Sequence, residues 1–266
     1  MGKNKEKQNI AIVTGATGAI GRAICMGLAR LPNYEVVLIA RDGTKSENVV
    51  EEIVKSSGNL KVCYLLADLS QRKEIFKLAK EWQGSLDILV NNAATSPRQR
   101  QETPEGIELQ FAVNVLSYFW MIEAFKSHLA DGAPARVVNV ASYWAGDLDL
   151  TDLEFKRRPY RNGTAYRQSK QADRMLTVAF AERLKPFGVS VNACHPGDVN
   201  SKLSNDLGFG GHESPAQGAE TPVWLASDPS LSDISGGYFA HKKQENCSFS
   251  KDKRAIERLF EICTDY

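Results

Sequence analysis

The chain has 266 residues, of which 42% are hydrophobic and 24% charged, and its formal net charge is +1. This composition is ordinary for a globular protein, and a charge so close to zero gives no electrostatic basis for binding nucleic acid or an anionic membrane. The five cysteines are scattered without metal-ligand spacing, and their odd number argues against a complete disulfide framework. A reducing compartment is the simplest inference, so we expect a cytoplasmic protein.

The first nine residues are polar and rich in lysine. They lack the apolar core of a secretory signal, and no apolar run elsewhere in the sequence is long enough to span a bilayer. Gly2 stands where a myristoylated glycine would, but Glu6 occupies the position at which that motif has Ser or Thr. We therefore expect a disordered tip before the first strand and no transmembrane anchor.

A glycine-rich loop, Thr14-Gly15-Ala16-Thr17-Gly18-Ala19-Ile20-Gly21, separates the first apolar run, residues 10–13, from a helical pattern that reaches Leu31. In this strand–turn–helix context, glycines let the backbone approach a pyrophosphate, and the helix N-terminus offers free N–H groups and a positive dipole end. A glycine turn without any ligand is the alternative. The position of the loop directly after the first strand favours nucleotide binding.

The second predicted strand, residues 36–40, is followed by Arg41 and Asp42. In a dinucleotide fold this strand end meets the adenine ribose, where an acid would accept from a free 2′-hydroxyl and a basic residue would accommodate a 2′-phosphate. Arg41 favours NADP over NAD because a guanidinium suits phosphate. Asp42, an acid one residue later, makes the evidence for NADP mixed. The alternative to a phosphate contact is that Arg41 is simply solvated.

The remaining apolar runs alternate with helical patterns. Further strands are predicted at residues 61–67, 86–90, 136–141, 189–194 and 235–239. Helices are predicted at residues 44–56, between Asp68 and Ala79, at 103–130, from Thr164 to near Pro186, at 215–226 and at 251–263. Residues 143–163 are predicted to be a loop with one short helical turn at most. Residues 198–214, rich in glycine, are predicted to be either a substrate lid or an ordinary disordered loop.

Polar residues stand at or near the ends of these strands. Asp68 follows the third strand, where it would cap the next helix. Asn92 and Ala93 belong to an Asn-Asn-Ala-Ala turn after the fourth strand, and Ser142 follows the fifth. Asn114 lies in an apolar part of the predicted helix 103–130, where it would either plug a backbone break or hold a water near a site. Taken alone, Asn114 favours the plug.

Tyr166 and Lys170 are four residues apart in the helix that begins near Thr164. On a helix this spacing places both side chains on one face. Tyrosine titrates near pKa ~10, but a fixed cation a few Å away favours the phenolate and lowers that pKa. The pair therefore predicts a tuned proton donor, although most pairs with this spacing are merely solvated.

The order of these features predicts one doubly wound α/β domain over residues 1–266, a Rossmann sheet of about seven parallel strands with helices on both faces. The loop 14–21, Asp68, the Asn-Asn-Ala-Ala turn, Ser142 and Pro196-Gly197 all lie at carboxyl ends of predicted strands. In an open parallel sheet these ends form the ligand crevice.

The sequence resembles the short-chain dehydrogenase/reductase superfamily over nearly its whole length. The motifs that carry the resemblance are Thr14–Gly21, Asp68-Leu69, Asn91–Ala94, Asn114, Ser142, Tyr166-Arg167-Gln168-Ser169-Lys170 and His195-Pro196-Gly197. Within the superfamily the chain is most similar to the retinol dehydrogenase-like branch. The grounds are Ala40-Arg41-Asp42, the long spacer between Ser142 and Tyr166, His195-Pro196-Gly197, and the region of Gly237-Tyr238-Phe239 with its terminal helix.

Three features depart from the family pattern. The middle glycine of the loop falls at Gly18, and Ala19 occupies its usual place. Ala94 replaces the glycine of the Asn-Asn-Ala-Gly turn, a tolerable change where the backbone avoids positive φ. Many membrane-bound relatives carry an N-terminal apolar anchor, whereas this sequence starts almost at its first strand.

The resemblance implies four catalytic residues. Ser142 would donate a hydrogen bond to the substrate carbonyl oxygen, and Tyr166 would protonate that oxygen. Lys170 would lower the Tyr166 pKa and hold the nicotinamide ribose. Asn114 would anchor a water that resupplies the proton through Lys170.

The resemblance also implies a site for NADP, with NADPH preferred over NADH. The pyrophosphate would lie over the glycines of the loop, Asp68 would contact the adenine, and Pro196, Gly197 and Val199 would frame the nicotinamide. The residues expected to bind the cofactor are Gly15, Thr17, Gly18, Ile20, Gly21, Arg41, Asp68, Leu69, Asn92, Ala93, Tyr166, Lys170, Pro196, Gly197 and Val199. No metal site is predicted.

We expect a carbonyl reductase or alcohol dehydrogenase acting on a small molecule. The alternatives are an NADP-binding sensor without turnover and a superfamily member that acts on an enone or a sugar carbon. Apolar residues in segments expected to border the pocket favour an apolar, retinoid- or lipid-like carbonyl, although they could instead pack the lid: Trp144, Leu148, Leu203, Leu207 and Phe209. The resemblance further implies a homodimer or homotetramer.

Overall fold

The computed structural model describes residues 7–266, so Gly2 and Glu6, which bear on myristoylation, lie outside the described residues. One sheet contains eight strands: β1 (Asn9–Thr14), β2 (Tyr34–Ala40), β3 (Val62–Leu66), β4 (Ile88–Asn91), β5 (Ala135–Val140), β6 (Val189–His195), β7 (Tyr238–Ala240) and β8 (Lys243–Glu245). Their order in the sheet is β3-β2-β1-β4-β5-β6-β7-β8. β1 to β7 are parallel, and β8 pairs antiparallel with β7.

Helices connect the strands: α1 (Ala19–Ala29), α2 (Gly43–Ser57), α3 (Arg72–Glu81), α4 (Ser117–Gly132), α5 (Asn162–Leu184), α6 (Lys202–Asp206), α7 (Pro215–Ser227) and α8 (Lys253–Thr264). A π-helical segment, Phe111–Leu116, precedes α4. Short 3₁₀ turns lie at Lys185–Phe187, Pro229–Leu231 and Ser248–Ser250. Within residues 7–266 no helix is long and apolar enough to cross a membrane.

The sheet lies between two helical layers, because its central strands are apolar on both faces. One buried cluster joins α3, α4, α5 and α8 to one face, and a second joins α1, α2 and α7 to the other. The strand order changes direction between β1 and β4, which are neighbours in the sheet although β2 and β3 intervene in the chain. The predicted doubly wound fold is thus confirmed, and its ligand crevice is expected at this change of direction.

The sheet contains seven parallel strands, as predicted, and the polar, exposed residues of β8 add an eighth, antiparallel strand as a hairpin on the edge of β7. One prediction of secondary structure is wrong. The helix predicted at 103–130 is broken near its start. Gly106, at φ +79°, closes a turn in which its N–H donates to the Thr103 carbonyl at 2.9 Å. The Glu108 carboxylate then accepts from Phe111 N at 2.7 Å, at the first residue of the π-helical segment.

Candidate active site

The glycine loop between β1 and α1 is shaped by close backbone approach. Gly15 has φ +63°, and a Cβ there would lie 2.7 Å from the Ala93 Cα. A Cβ at Gly21 would collide with the Gly15 carbonyl oxygen and lie 2.6 Å from Asn92 Nδ2. Gly18 is the N-cap of α1. Each glycine of the predicted motif therefore sits at the tight strand-to-helix turn, and the displaced middle glycine begins the helix.

The turn after β4 is fastened to this loop through Thr14. The Thr14 hydroxyl oxygen accepts from Asn92 N at 2.8 Å and from Ala93 N at 3.1 Å. The Asn92 side chain donates to the Thr14 carbonyl at 2.9 Å. Asn92 therefore fixes the start of the glycine loop through its bonds to Thr14.

Arg41 and Asp68 lie near each other at the ends of β2 and β3. Partial burial opposes the charge of Asp68, but hydrogen bonds from Ser70 and Gln71, together with the charge of Arg41, lower the Asp68 pKa below its ordinary value. The prediction that Asp68 caps the following helix is wrong, because α3 begins at Arg72 and Asp68 instead accepts from Ser70 N at 3.0 Å within the preceding turn.

The Asp42 carboxylate is used by the N-terminus of α2. Its Oδ1 accepts from Lys45 N at 3.0 Å, and its Oδ2 pairs with Lys45 Nζ at 3.2 Å. Asp42 is therefore an N-cap. Asp42, which made the sequence evidence for NADP mixed, thus caps α2. Arg41, in contrast, is exposed at the end of β2.

Ser142 and Tyr166 meet in a cleft at the carboxyl ends of β5 and β6. Tyr166 and Ser142 both line this cleft, and Ser142 Oγ accepts from Trp144 N at 3.1 Å. The cleft also brings together Ile20, Pro196, Gly197 and Val199, as the sequence predicts.

The Tyr166 pKa differs in direction from the sequence-based prediction. Burial raises it above the ordinary tyrosine value, more strongly than Lys170 and the Ser142 hydrogen bond lower it. Asp173 also contributes to the rise. The predicted influence of Lys170 is present, but a net lowering is wrong for the protein alone, since the phenol is only 7% exposed.

Lys170 lies deeper than the sequence indicates. Its Nζ donates to the Val140 carbonyl at 3.0 Å and to Asp173 Oδ2 at 2.8 Å, and it lies 5.9 Å from the centre of the Tyr166 ring. Burial by itself would lower the Lys170 pKa, but the Asp173 carboxylate raises it above its ordinary value. The lysine is therefore a permanent cation beside Tyr166.

Asn114 lies in the π-helical segment, where its side chain bonds to the loop after β4. Its Oδ1 accepts from Thr95 N at 2.8 Å, and its Nδ2 donates to the Thr95 carbonyl at 3.0 Å and to Ser169 Oγ at 3.1 Å. These bonds occupy both hydrogens of the amide. The structural plug that Asn114 favours on its own is therefore the role that its contacts support.

The segment 198–214 covers one side of the cleft and is folded on itself. Asp198 O accepts from His212 N at 2.8 Å and Glu213 N at 2.9 Å, and Val199 forms a bridge with Glu213. The short helix α6 lies inside it, with Ser201 as its cap. The alternative of an ordinary disordered loop is therefore wrong.

Most of the apolar residues expected at the pocket do line it. Trp144, Leu203, Leu207 and Phe209 border the cleft, and the rings of Trp144 and Phe209 meet edge to face with centres 5.5 Å apart. Leu148 does not line it, because it packs against the main core on the side of α5.

The remaining predicted cofactor residues have different positions. Thr17 is half-buried in the glycine loop. Ala93 contributes its backbone N–H to Thr14, as described above. Leu69 is 5% exposed and belongs to the core, so it supports the turn at Asp68 with its side chain directed into the protein.

Sequence reasoning assigned no role to His195 as a wall of the cleft. Its ring lies 4.6 Å from that of Tyr143, and both residues line the pocket. Burial, helped by His241 and Arg174, lowers the His195 pKa to about 4, so its imidazole is neutral at physiological pH. The signal for it was present in the His195-Pro196-Gly197 motif, of which only the last two residues were used.

The crevice fits a nicotinamide dinucleotide. A Cβ at Gly15 or Gly21 would collide with neighbouring atoms of the protein, so only glycine allows this tight turn. The N-cap of α1 is Gly18, which places no side chain over the free N–H groups of the helix N-terminus, where a phosphate would bind. The cleft with Ser142 and Tyr166 lies at the same edge of the sheet. The residues that would hold the cofactor thus lie along one edge of the sheet, at the carboxyl ends of β1 to β6.

A parallel Rossmann sheet with a glycine loop, and with Ser142 and Tyr166 in one cleft and Lys170 buried beside Tyr166, is the arrangement of a dinucleotide-dependent oxidoreductase. The family model described as short chain dehydrogenase matches residues 9–208. Retinol dehydrogenase 13 of Homo sapiens is 34% identical over 94% of this chain and 81% of its own length.

Two solved structures show the same fold. A Mycobacterium paratuberculosis protein described as uncharacterized has a TM-score of 0.80 and 24% identity, with 97% of this chain and 94% of that chain covered. A Pseudomonas aeruginosa RhlG/NADP complex has a TM-score of 0.70 and 26% identity, with 88% and 94% covered.

The chain therefore belongs to the short-chain dehydrogenase/reductase family and to its retinol dehydrogenase-like branch. It is an oxidoreductase acting on CH–OH and C=O groups with a nicotinamide dinucleotide.

Proposed function

We propose that this protein reduces apolar aldehydes or ketones of retinoid- or lipid-like character, with NADPH as its preferred cofactor. The observation that carries this proposal is a cleft lined both by the hydroxyl-bearing residues Ser142 and Tyr166 and by the apolar side chains of Trp144, Leu207 and Phe209. Such a cleft places two hydrogen-bond donors at one end and apolar contact at the other, which suits a carbonyl on a hydrophobic body.

The bound cofactor would supply the hydride. Ser142 donates a hydrogen bond to the carbonyl oxygen and stabilises the negative charge that grows there in the transition state. Tyr166 gives its proton to the same oxygen. Lys170, a fixed cation nearby, favours the phenolate that Tyr166 leaves behind. Pro196, Gly197 and Val199 form the wall against which the nicotinamide would lie.

The preference for NADPH rests on the end of β2. Asp42 is engaged by Lys45, so Arg41 is the charged side chain at this strand end that suits a 2′-phosphate. NAD binding favours an acidic residue that accepts a hydrogen bond from the free 2′-hydroxyl. Positions 40 and 41 are alanine and arginine, so neither supplies that acid. Asp68, close to Arg41, would contact the adenine.

The proposal is tested by following NADPH consumption by the purified protein with a panel of apolar aldehydes and ketones, and repeating each assay with NADH. We expect turnover that is faster with NADPH and that increases with the apolar surface of the substrate. Equal or better use of NADH would contradict the cofactor preference, and a preference for small polar carbonyls would contradict the substrate class.

Three further predictions from the sequence stay predictions. They are a homodimer or homotetramer, a single domain over residues 1–266, and a cytoplasmic location. Sedimentation of the purified protein would test the first, limited proteolysis the second, and cell fractionation the third.

A further inference from the structure

Asp173 lies one helical turn after Lys170, with its side chain fully buried. Among the ion pairs formed by residues 7–266, Lys170–Asp173 is the only one with both side chains less than one-tenth exposed, at 2% and 0%. A buried carboxylate is costly unless it is paired and hydrogen-bonded. Its other oxygen, Oδ1, has no hydrogen-bond partner in the described structure. The mechanism proposed above gives this costly group no role.

The pair is close to the proposed acid. Lys170 Nζ lies 2.8 Å from Asp173 Oδ2 and 5.9 Å from the centre of the Tyr166 ring. The ammonium also donates to the Val140 carbonyl at 3.0 Å. Two of the three ammonium hydrogens are therefore bonded to buried groups of the protein, and these two bonds fix the position of Nζ.

We propose that Asp173 is a positioning residue that holds the Lys170 ammonium in place and offsets part of its charge, so that the Tyr166 phenol holds its proton more tightly than it would beside an unbalanced cation. The consequence for catalysis rests on the proposed function: a phenol that keeps its proton suits carbonyl reduction, and the reverse oxidation, which needs the phenolate, would require alkaline pH.

The other groups that face the pair are uncharged near neutral pH. Tyr118 on α4 has its ring centre 5.1 Å from Lys170 Nζ, and burial raises its pKa. Burial also raises the pKa of the thiols of Cys263 on α8, which faces Asp173, and Cys194 on β6, which faces Lys170. Asp173 is thus the anion that balances Lys170.

The carboxylate is charged when Tyr166 titrates. Burial raises the Asp173 pKa to about 7 against the opposing effect of Lys170, and the Tyr166 pKa lies above its ordinary value of 10.0. Asp173 contributes directly to that rise. Removal of the Asp173 charge takes away this direct contribution, so the Tyr166 phenol should become more acidic.

The test compares Asp173→Asn with the wild-type protein. The ionisation of Tyr166 is followed without cofactor as the ultraviolet phenolate absorbance, after subtraction of the same titration on the Tyr166→Phe version of each protein. We expect the Tyr166 midpoint to fall by about one pH unit, the lower end of what one nearby buried charge does. In catalysis, the pH at which alcohol oxidation reaches half its limiting kcat/KM should fall by a similar amount.

Asp173→Glu is the matched control, because it keeps the charge and should leave the midpoint close to that of the wild type. If Asp173→Asn does not fold, Asp173→Ser provides a second neutral variant of smaller size. A Tyr166 midpoint that stays in place or rises on loss of the charge overturns the proposal. The absorbance titration needs no turnover, so it can succeed even if the proposed substrate class is wrong.

Discussion

Asn114 holds the backbone of Thr95 by both of its polar groups, accepting from Thr95 N at 2.8 Å and donating to Thr95 O at 3.0 Å. These two bonds join the π-helical segment to the loop that follows β4, the same loop whose Asn92 supports the glycine turn. The structure thus links the start of α4 to the cofactor crevice through one buried amide.

Asn114→Ala should lower the free energy of unfolding by about 2 kcal/mol, because it leaves the Thr95 N–H and carbonyl without their partner. Denaturant unfolding measures the loss, and amide exchange at Thr95 should become faster. Ser117→Ala is the control, since its hydroxyl donates to the Val113 carbonyl four residues earlier, at 2.6 Å, and so makes a local bond rather than a link to Thr95. Equal losses in the two variants would show that the link to Thr95 is unimportant.

Gly21→Ala should weaken NADPH binding tenfold or more. Its Cβ would collide with the Gly15 carbonyl and with Asn92 Nδ2, at 2.6 Å, so the loop must move. Gly27→Ala in the same helix is the control, because its Cβ meets the side chain of Val223 rather than the loop backbone. Titration of NADPH by fluorescence compares them, and unchanged affinity in Gly21→Ala would argue against a phosphate site at this turn.

Arg41→Ala should raise the KM for NADPH about tenfold, consistent with the loss of a charged hydrogen bond worth ~1.5–3 kcal/mol, and leave the KM for NADH nearly unchanged. Lys45→Ala removes a cation of the same region whose ammonium pairs with Asp42, and it should affect the two cofactors alike. Steady-state kinetics with both cofactors decides the matter. A parallel rise for NADPH and NADH in Arg41→Ala would remove the argument for a 2′-phosphate contact.

Phe209→Ala should raise the KM for apolar carbonyls severalfold with little change in thermal stability, because Phe209 is 45% exposed and borders the cleft against Trp144. Phe187→Ala is a matched control, with 43% exposure at a position outside the residues that line the cleft. An unchanged KM in Phe209→Ala would assign the segment 198–214 to packing rather than to substrate contact.

The stability of the protein should depend on pH through Glu108. Burial raises its pKa to about 7 from 4.5, so the folded state holds this proton more tightly than the unfolded state does. Its contribution to stability is full below pH 4.5 and is lost as the pH rises through about 7. Chemical unfolding of Glu108→Gln should therefore show a shallower decline over this window. An identical pH slope in both proteins would contradict the assignment.

The sequence predicted most of the fold because the central strands are continuous apolar runs. A short run such as Val36–Ala40 is typical of a parallel strand that is buried on both faces. The structure brings Ser142, Tyr166 and Pro196 to one cleft, because they stand at strand or helix positions that a parallel sheet places side by side. Both predictions depend on patterns that can be read within one segment, or from the order of the segments along the chain.

What the sequence could not show depends on contacts between segments. The turn at Gly106 lies within a pattern whose apolar residues continue the helical period, so the break is set by tertiary contacts of Glu108. Asp173 looks like an ordinary helical acid, and only the packing of α4, β5 and α8 around it shows that it is buried. The sign of the Tyr166 pKa follows from the same burial, which outweighs the cation that the spacing revealed.

The central claim is that Tyr166 is the acid of a carbonyl reductase, and Tyr166→Phe tests it most directly. We expect kcat/KM for carbonyl reduction to fall by about a hundredfold or more, as on loss of a general acid, with the Kd for NADPH unchanged. Tyr160→Phe, which removes a hydroxyl bonded to the Pro97 carbonyl at 2.9 Å, should retain activity. Retention of wild-type turnover by Tyr166→Phe, with NADPH bound equally well, would contradict the account.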